Sequence, residues 1–465
     1  MTDQIMTEQA IRISTFKGAS SFDQKRLNDG IMFTPDCNGA ADTNYYIELI
    51  NDVYTCYYKY AGSDHKAGDI YQQVSAKKFW EEAKLPYVGN IVDPRIMFIP
   101  GAGRAGQWIA VMLELGHFVH IATTNPNSYV PDPTLGQWKG NSFPLPGNDF
   151  TMLGYDGDSI FISTNAEPND QGKDKDEDGD RIPQVAVIPR EFALSYPPNL
   201  AAENIRVFNL PRNQYGIGLY PVTDLGETGW PYGTFLGVDN ESKDQLTFGL
   251  YSKEQRTFVS NGKIKVEPFE PLTFSSQVTQ PDPLKPIHFS VDTFASAVCS
   301  PDGYNIWCAH TVQPNDYTRM SIRWYRIQLD TATRMPFLAD QGELKNPHYD
   351  YFNPAIISLG VDDYTLISFS RSGDSSTPQD PKNENCGFIG AYLAILNGAT
   401  PGADPIIKPL QAGLVIANTT ADRWGDFCTI SRDPDRKNHP RRFWAVNQYV
   451  LDQSDWGTVI ASIDV

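Results

Sequence analysis

Cysteine is scarce in this chain: six of 465 residues, at positions 37, 56, 299, 308, 386 and 428. None falls in a Cys-x-x-Cys or Cys/His metal spacing, which excludes a disulfide-dense scaffold and a zinc site. Cys299 and Cys308 flank the turn Ser300-Pro301-Asp302-Gly303, so they are placed to meet either as thiols or as a bridge. Long apolar runs are missing too. The segment Ile109 to Leu115 is broken by Glu114, and no stretch nears the roughly 18 apolar residues of a membrane-spanning helix. Met1 to Gly18 has no basic start and no apolar stretch, so no leader is visible. Basic residues are outnumbered, 38 Lys and Arg against 56 Asp and Glu for a net charge of −18. That excludes unaided binding to nucleic-acid phosphates or insertion at an anionic membrane. The G-x-S-x-G elbow, the P-loop and a strand-linked G-x-G-x-x-G are absent, which removes α/β-hydrolase, NTPase and Rossmann chemistry in their usual forms. Helical pattern is nearly lacking: one segment stands out, Ala76 to Leu85, capped by Ser75 and anchored by Phe79 and Trp80.

What fills the chain instead is strand and turn. Gly (36) and Pro (34) are plentiful, and short runs of Val, Ile, Tyr, Phe and Thr recur, each closed by a Gly, Asp or Asn turn, the signature of an antiparallel all-β fold. One unit repeats as strand, tight turn, strand, loop, strand. Its clearest copies begin at Asn353, Phe150 and Phe294, and weaker ones occupy Tyr45 to Tyr60, Arg95 to Thr123, Tyr232 to Tyr251 and Arg423 to Val465. A lone twisted sheet cannot bury both faces, whereas radial packing buries them in turn and leaves short edges. The expected fold is therefore a single β-propeller over residues 31–465, with seven blades preferred and six the alternative, each of three to four antiparallel strands with long loops. Stacked β-sandwiches are the runner-up. Residues 1–30 read as an N-terminal extension available to supply a closing strand.

Several separated motifs carry a resemblance: Asp93-Pro94-Arg95-Ile96-Met97-Phe98 leading to Gln107-Trp108-Ile109-Ala110-Val111, then Ile322-Arg323-Trp324-Tyr325, Arg423-Trp424-Gly425-Asp426-Phe427, Phe443-Trp444-Ala445, and Asp455-Trp456-Gly457-Thr458. In this order they resemble a group of largely uncharacterised, sialidase-like β-propeller proteins found mainly in bacteria, over about residues 30 to 465. The resemblance implies the propeller and assigns no single chemistry. The Asp-box spacing is not met, since Ser300-Pro301-Asp302-Gly303-Tyr304-Asn305-Ile306-Trp307 has Gly one place early and Ile before Trp. A sialidase would also need three arginines on one carboxylate, a Tyr/Glu nucleophile and an Asp acid. Arg95, Arg371 and Arg423 are available as guanidinium groups, and no Tyr/Glu couple is identifiable among the tyrosines.

The sharpest local chemistry is Asp174-Lys175-Asp176-Glu177-Asp178-Gly179-Asp180. Carboxylates at alternate positions around a glycine turn converge on a hard cation, so Asp174, Asp176, Asp178 and Asp180 are the expected ligands of a structural calcium. The alternative is a solvated acidic hairpin loop. Arg423 and Asp426 open the last blade, where an inner strand lines the central channel. They bind a polar ligand there, or else pair with each other while Trp424 wedges between blades. His117 and His120 stand three apart on a strand and so face opposite ways; His310 reads as a structural histidine more readily than as a base. The functional expectation is a non-enzymatic binding or adhesion module recognising a glycan or a protein surface, with ligand contacts from Arg95, Arg323, Arg371, Arg423 and Asp426, whose guanidinium forks suit acidic sugars. The alternatives are a glycoside hydrolase or polysaccharide lyase, and a structural virion or cell-surface component. A secreted, surface or virion-associated setting is expected ahead of a cytosolic metabolic one.

Overall fold

Strand-forming residues and tight turns organise the chain as a seven-bladed β-propeller, each blade built around a four-stranded antiparallel meander. This is a computed structural model, and it describes residues 11–465 other than 29–33, 86–90, 102–105, 129, 167–180, 226–231, 239–241, 271, 273–275, 290–293, 295, 302–304, 315–318, 331, 334, 399, 401–402 and 419–422. From the channel outward, the first blade is Asn38–Ala41, Tyr45–Ile50, Val53–Tyr58 and Ile70–Ser75, and the second is Ile91–Ile99, Gln107–Glu114, Phe118–Thr124 and Trp138–Pro144. The inner strands of the next four blades are Met152–Tyr155, Ile217–Pro221, Ala297–Cys299 and Tyr349–Ser358. A short strand, Thr223–Asp224, leaves the fourth blade and pairs in parallel with Ala297–Cys299, stitching blades four and five at the lumen.

Burial explains which strands announce themselves in the sequence. Second strands such as Gln107–Glu114, Ser159–Ala166 and Asn305–Val312 are buried along their whole length and read as near-continuous apolar runs. Outer strands face solvent on one side. Thr257–Lys265 alternates exposed and half-buried positions, and Arg206–Asn209 is mostly exposed, so these polar fourth strands lack an apolar signature.

The ring closes by mixing the two ends of the chain. Thr429–Arg432, Arg442–Asp452 and Asp455–Asp464 supply the inner three strands of blade seven, and Arg12–Ser20 supplies the outer one, in register from Arg12 opposite Asp464 to Ser20 opposite Gly457. Glu48, fully buried in blade one, fastens this seam. It accepts hydrogen bonds from the Ala19 amide at 2.8 Å, the Tyr57 hydroxyl at 2.8 Å and the Thr458 hydroxyl. Lys59 does the same from the neighbouring strand end: its Nζ lies 3.0 Å from Asp433 with both side chains wholly buried, and it donates to the Asp42 carbonyl. Asp433 also accepts from the Trp444 indole N–H at 2.8 Å.

The expected helix is present as Ala76–Glu82, with the Ser75 hydroxyl accepting from the Lys78 amide at 3.1 Å and Phe79 and Trp80 buried. Cys299 and Cys308 are both buried free thiols. They sit on paired strands but not opposite one another, since Cys299 faces Ile306 and Cys308 faces Ala297. Among the described residues no helix is long and apolar enough to cross a membrane.

Candidate functional site

Four inner strands carry the same backbone device. Asp36 and Phe150, two residues before the inner strands of blades one and three, and Asp93 and Asn353, at the register breaks inside those of blades two and six, adopt φ of 46°, 57°, 55° and 50°. This left-handed region is tolerated best by Asp and Asn among residues with a side chain. The turn steers each chain into the channel wall and delivers polar side chains to one mouth of the channel. There the carboxyl groups of Asp36, Asp93 and Asp426, from blades one, two and seven, each place an oxygen within 4.8 Å of the others.

The cluster is held by neutral donors and two arginines. Asp36 accepts from the Asp426 amide at 2.7 Å, from Asn51 Nδ2 at 2.7 Å and from the Thr34 hydroxyl at 3.1 Å. Asn51 Oδ1 in turn accepts from the Asp93 amide at 3.1 Å, so one side chain spans two blades. Arg423 donates through Nη2 to both oxygens of Asp426, at 2.6 Å for Oδ2. Its side chain stays 51% exposed, which makes it the solvent-reachable handle of the mouth. Arg95 lies deeper, only 2% exposed. Its Nε donates to the Thr151 carbonyl at 2.8 Å and its guanidinium stacks 3.6 Å from the centroid of Phe427. Its Nη2 is buried without a hydrogen-bond acceptor.

Burial dominates the titration of the mouth. Desolvation raises Asp36, and it raises Asp93 well above the carboxylate range, with Asp36, Asp149 and Asp426 adding like-charge repulsion. Asp426 is pushed up to about 6 by burial and by Asp36, against the opposing pull of Arg423. Asp149, 3.1 Å from Arg181, is raised by burial as well. Four carboxyls from blades one, two, three and seven thus face three arginines, Arg95, Arg181 and Arg423.

From this mouth the channel runs between inner strands of all seven blades, enclosing about 850 Å³ of space, open solvent at its ends included. Its wall takes in Asn38 to Ala41, Arg95 to Phe98, Tyr155, Tyr220, Ser296 to Val298, Ile357 and Cys428 to Arg432.

Of the five residues proposed from sequence as ligand contacts, Arg95, Arg423 and Asp426 meet at the mouth. Arg323 and Arg371 stand apart from it. Arg323 is clamped on Glu343 at 2.5 Å and on the carbonyls of Glu267 and Pro268. Arg371 is sandwiched between Tyr349 and Tyr392 and donates to the carbonyls of Glu384 and Cys386. Trp424 is wedged in the apolar cluster with Phe352, donating to the Ser370 hydroxyl at 3.0 Å. His310 is buried between Phe269 and Phe294, 2.9 Å from the Tyr325 hydroxyl, and burial pushes it down to about 3, so it stays neutral. Asp174, Asp176, Asp178 and Asp180 lie outside the described residues. Asp36, Asp93 and Asp149 were not among the sequence candidates. The available signal was an Asp or Asn beside a Pro or Gly at a blade entry, as in Pro35-Asp36, Asp93-Pro94, Asn353-Pro354 and Gly425-Asp426.

No family model and no curated protein matches this chain. It is similar to solved propellers: the Dos1 propeller, 7% identical over 90% of this chain and 75% of that one with a TM-score of 0.38; and the WD40 domain of SCAP from fission yeast, 11% identical over 94% and 85%, TM-score 0.36. A quinohemoprotein alcohol dehydrogenase from Comamonas testosteroni is 10% identical over 92% and 67%, TM-score 0.41. These likenesses concern the propeller fold alone and lend no support to the sialidase-like assignment.

Proposed function

We propose that this propeller is a non-enzymatic binding module that takes a glycan or a protein surface at the channel mouth. The observation that carries the reading is the convergence of Asp36, Asp93, Asp149, Asp426, Arg95 and Arg423 from blade entries distant in sequence onto one mouth of the channel, which solvent reaches at Arg423 and Asp149. A hydrolase reading is less favoured because Arg323 and Arg371 are committed elsewhere and the third arginine at the mouth, Arg181, is already paired with Asp149.

The test is a glycan array and a basic-peptide panel on the full chain, repeated with Arg423→Ala and Asp426→Asn. Binding that drops about tenfold or more in both variants, with each variant still unfolding in one cooperative transition and no turnover of polysaccharides, is the expected result. Polysaccharide turnover that vanishes with Arg423→Ala would make the protein an enzyme and overturn the proposal.

We propose in addition that calcium is structural here, held by Asp174, Asp176, Asp178 and Asp180 in the connection between Ser159–Ala166 and Ile182–Pro189. A ligand selective for the folded state stabilises it. Calcium is therefore expected to raise the melting temperature over EDTA, and Asp178→Asn to abolish the difference. Identical melting in calcium and EDTA would remove the metal.

A further inference from the structure

The opposite end of the channel differs in charge from the mouth. The inner strand of blade seven ends at Arg432, the chain turns through Asp433 and Pro434, and Arg436 follows on the rim; both arginines line the channel. Arg432 donates from Nη2 to the Pro440 carbonyl at 3.0 Å, and its Nε is buried without an acceptor. Arg436 donates to the Leu225 carbonyl at 3.2 Å. Among the described residues neither guanidinium has a carboxylate at ion-pair distance. The acids nearby are engaged: Asp433 by Lys59, and Asp363 by Arg441 at 3.1 Å. Burial and the neighbouring charge of Arg436 hold Arg432 below the ordinary arginine range, against the weaker opposing pull of Asp363.

Between this end and Arg95 the wall is apolar in larger part, with Ile96, Phe98, Val298, Ile357 and Ile430 lining it and Thr223, Ser296, Thr429 and Ser431 interspersed. The span from Cys428 to Arg432 is four residues of strand, roughly 13 Å at the usual rise. Arg95, with its own unsatisfied Nη2, lines the same space. A buried arginine N–H without an acceptor is costly unless something supplies one.

We infer that this end of the channel is an anion site in which Arg432 and Arg436 hold the carboxylate of a small ligand whose apolar body lies along the lumen toward Arg95. The site is separate from the mouth and does not depend on the partner proposed there. Arginine suits this role because its planar fork meets both oxygens of a carboxylate while its stem lies along apolar wall.

The test uses decanoate, decanol and inorganic phosphate as probes, titrated calorimetrically against the full chain. Decanoate is expected to bind at least tenfold more tightly than decanol, the head group supplying the difference. Arg436→Gln, a substitution on the exposed rim that the fold tolerates, is expected to weaken decanoate about tenfold. Arg432→Met with Arg436→Gln is expected to remove the preference over decanol, and Asp426→Asn to leave decanoate binding unchanged. Equal binding of decanoate and decanol overturns the inference, as does undiminished decanoate binding in Arg436→Gln. Phosphate binding without decanoate binding also overturns it, because the apolar body would then contribute nothing. Loss of decanoate binding in Asp426→Asn would place the ligand at the mouth and overturn it as well.

Discussion

Lys59→Met is expected to cost about 3–5 kcal/mol of stability, the range for removing one partner of a fully buried ion pair. Lys59 and Asp433 are 3.0 Å apart with both side chains wholly buried, so the surviving carboxylate has no water to turn to. The pair joins the end of a blade-one strand to the loop after the inner strand of blade seven, so the loss falls on the seam of the ring. Two comparisons separate charge from volume. Lys59→Met with Asp433→Leu should recover much of the loss, because an apolar pair has no stranded charge. Lys78→Met, which removes an exposed helical pair with Glu82, should change stability by less than about 0.5 kcal/mol. Denaturant midpoints read all three. A Lys59→Met midpoint within error of the parent would mean that the pair's desolvation cost cancels its attraction.

Acidification from pH 7.5 to 5 is expected to stabilise the protein. Asp36, Glu48, Asp93 and Asp149 are all raised by burial, and Asp426 to about 6. Unfolded carboxyls titrate near 4. Between those limits the folded chain holds more protons than the unfolded one, so stability is full below about pH 4 for these groups and falls as pH rises through their folded values. Asp426 alone accounts for roughly 1–2 kcal/mol between pH 7.5 and 5. Groups held low, such as Asp374 beside Arg319 and Ser376, oppose the trend from the surface. The melting temperature should therefore rise by a few degrees toward pH 5, and Asp426→Asn should flatten the slope. A melting temperature that climbs with pH over the same range would mean that these carboxyls are ionised in the fold and stabilised by it.

The propeller was legible because radial packing leaves a mark on each blade. Inner and second strands are buried on both faces and appear as apolar runs closed by turns, so Asn353 to Ser370 and Phe150 to Thr164 could be read directly. The fourth strands could not, because Arg206–Asn209 and Thr257–Lys265 carry the polar alternation of a solvent-facing edge. At the mouth, Arg423 and Asp426 were legible from their place before the last inner strand. Arg323 and Arg371 lie in strand segments of the same look. Nothing local distinguishes an arginine aimed at the channel from one clamped between tyrosines, since that depends on which face of its blade it takes. Asp36 was missed because its role is set by Asn51 and Asp426, the latter nearly four hundred residues away.

Closure by two chain ends also sets a clock. Arg12–Ser20 cannot find its partner until Asp455–Asp464 has been made, and Thr458, whose hydroxyl lies 3.0 Å from the Ala19 carbonyl, is 439 residues away. At ribosomal speeds of about 5–20 residues per second, the first strand waits roughly 20–90 s with its hydrogen-bonding edge unclaimed. During that interval the matching strand nearest to hand belongs to a finished neighbour on the same message. Crowded translation therefore favours exchanged dimers, in which each molecule completes its last blade with another's first strand.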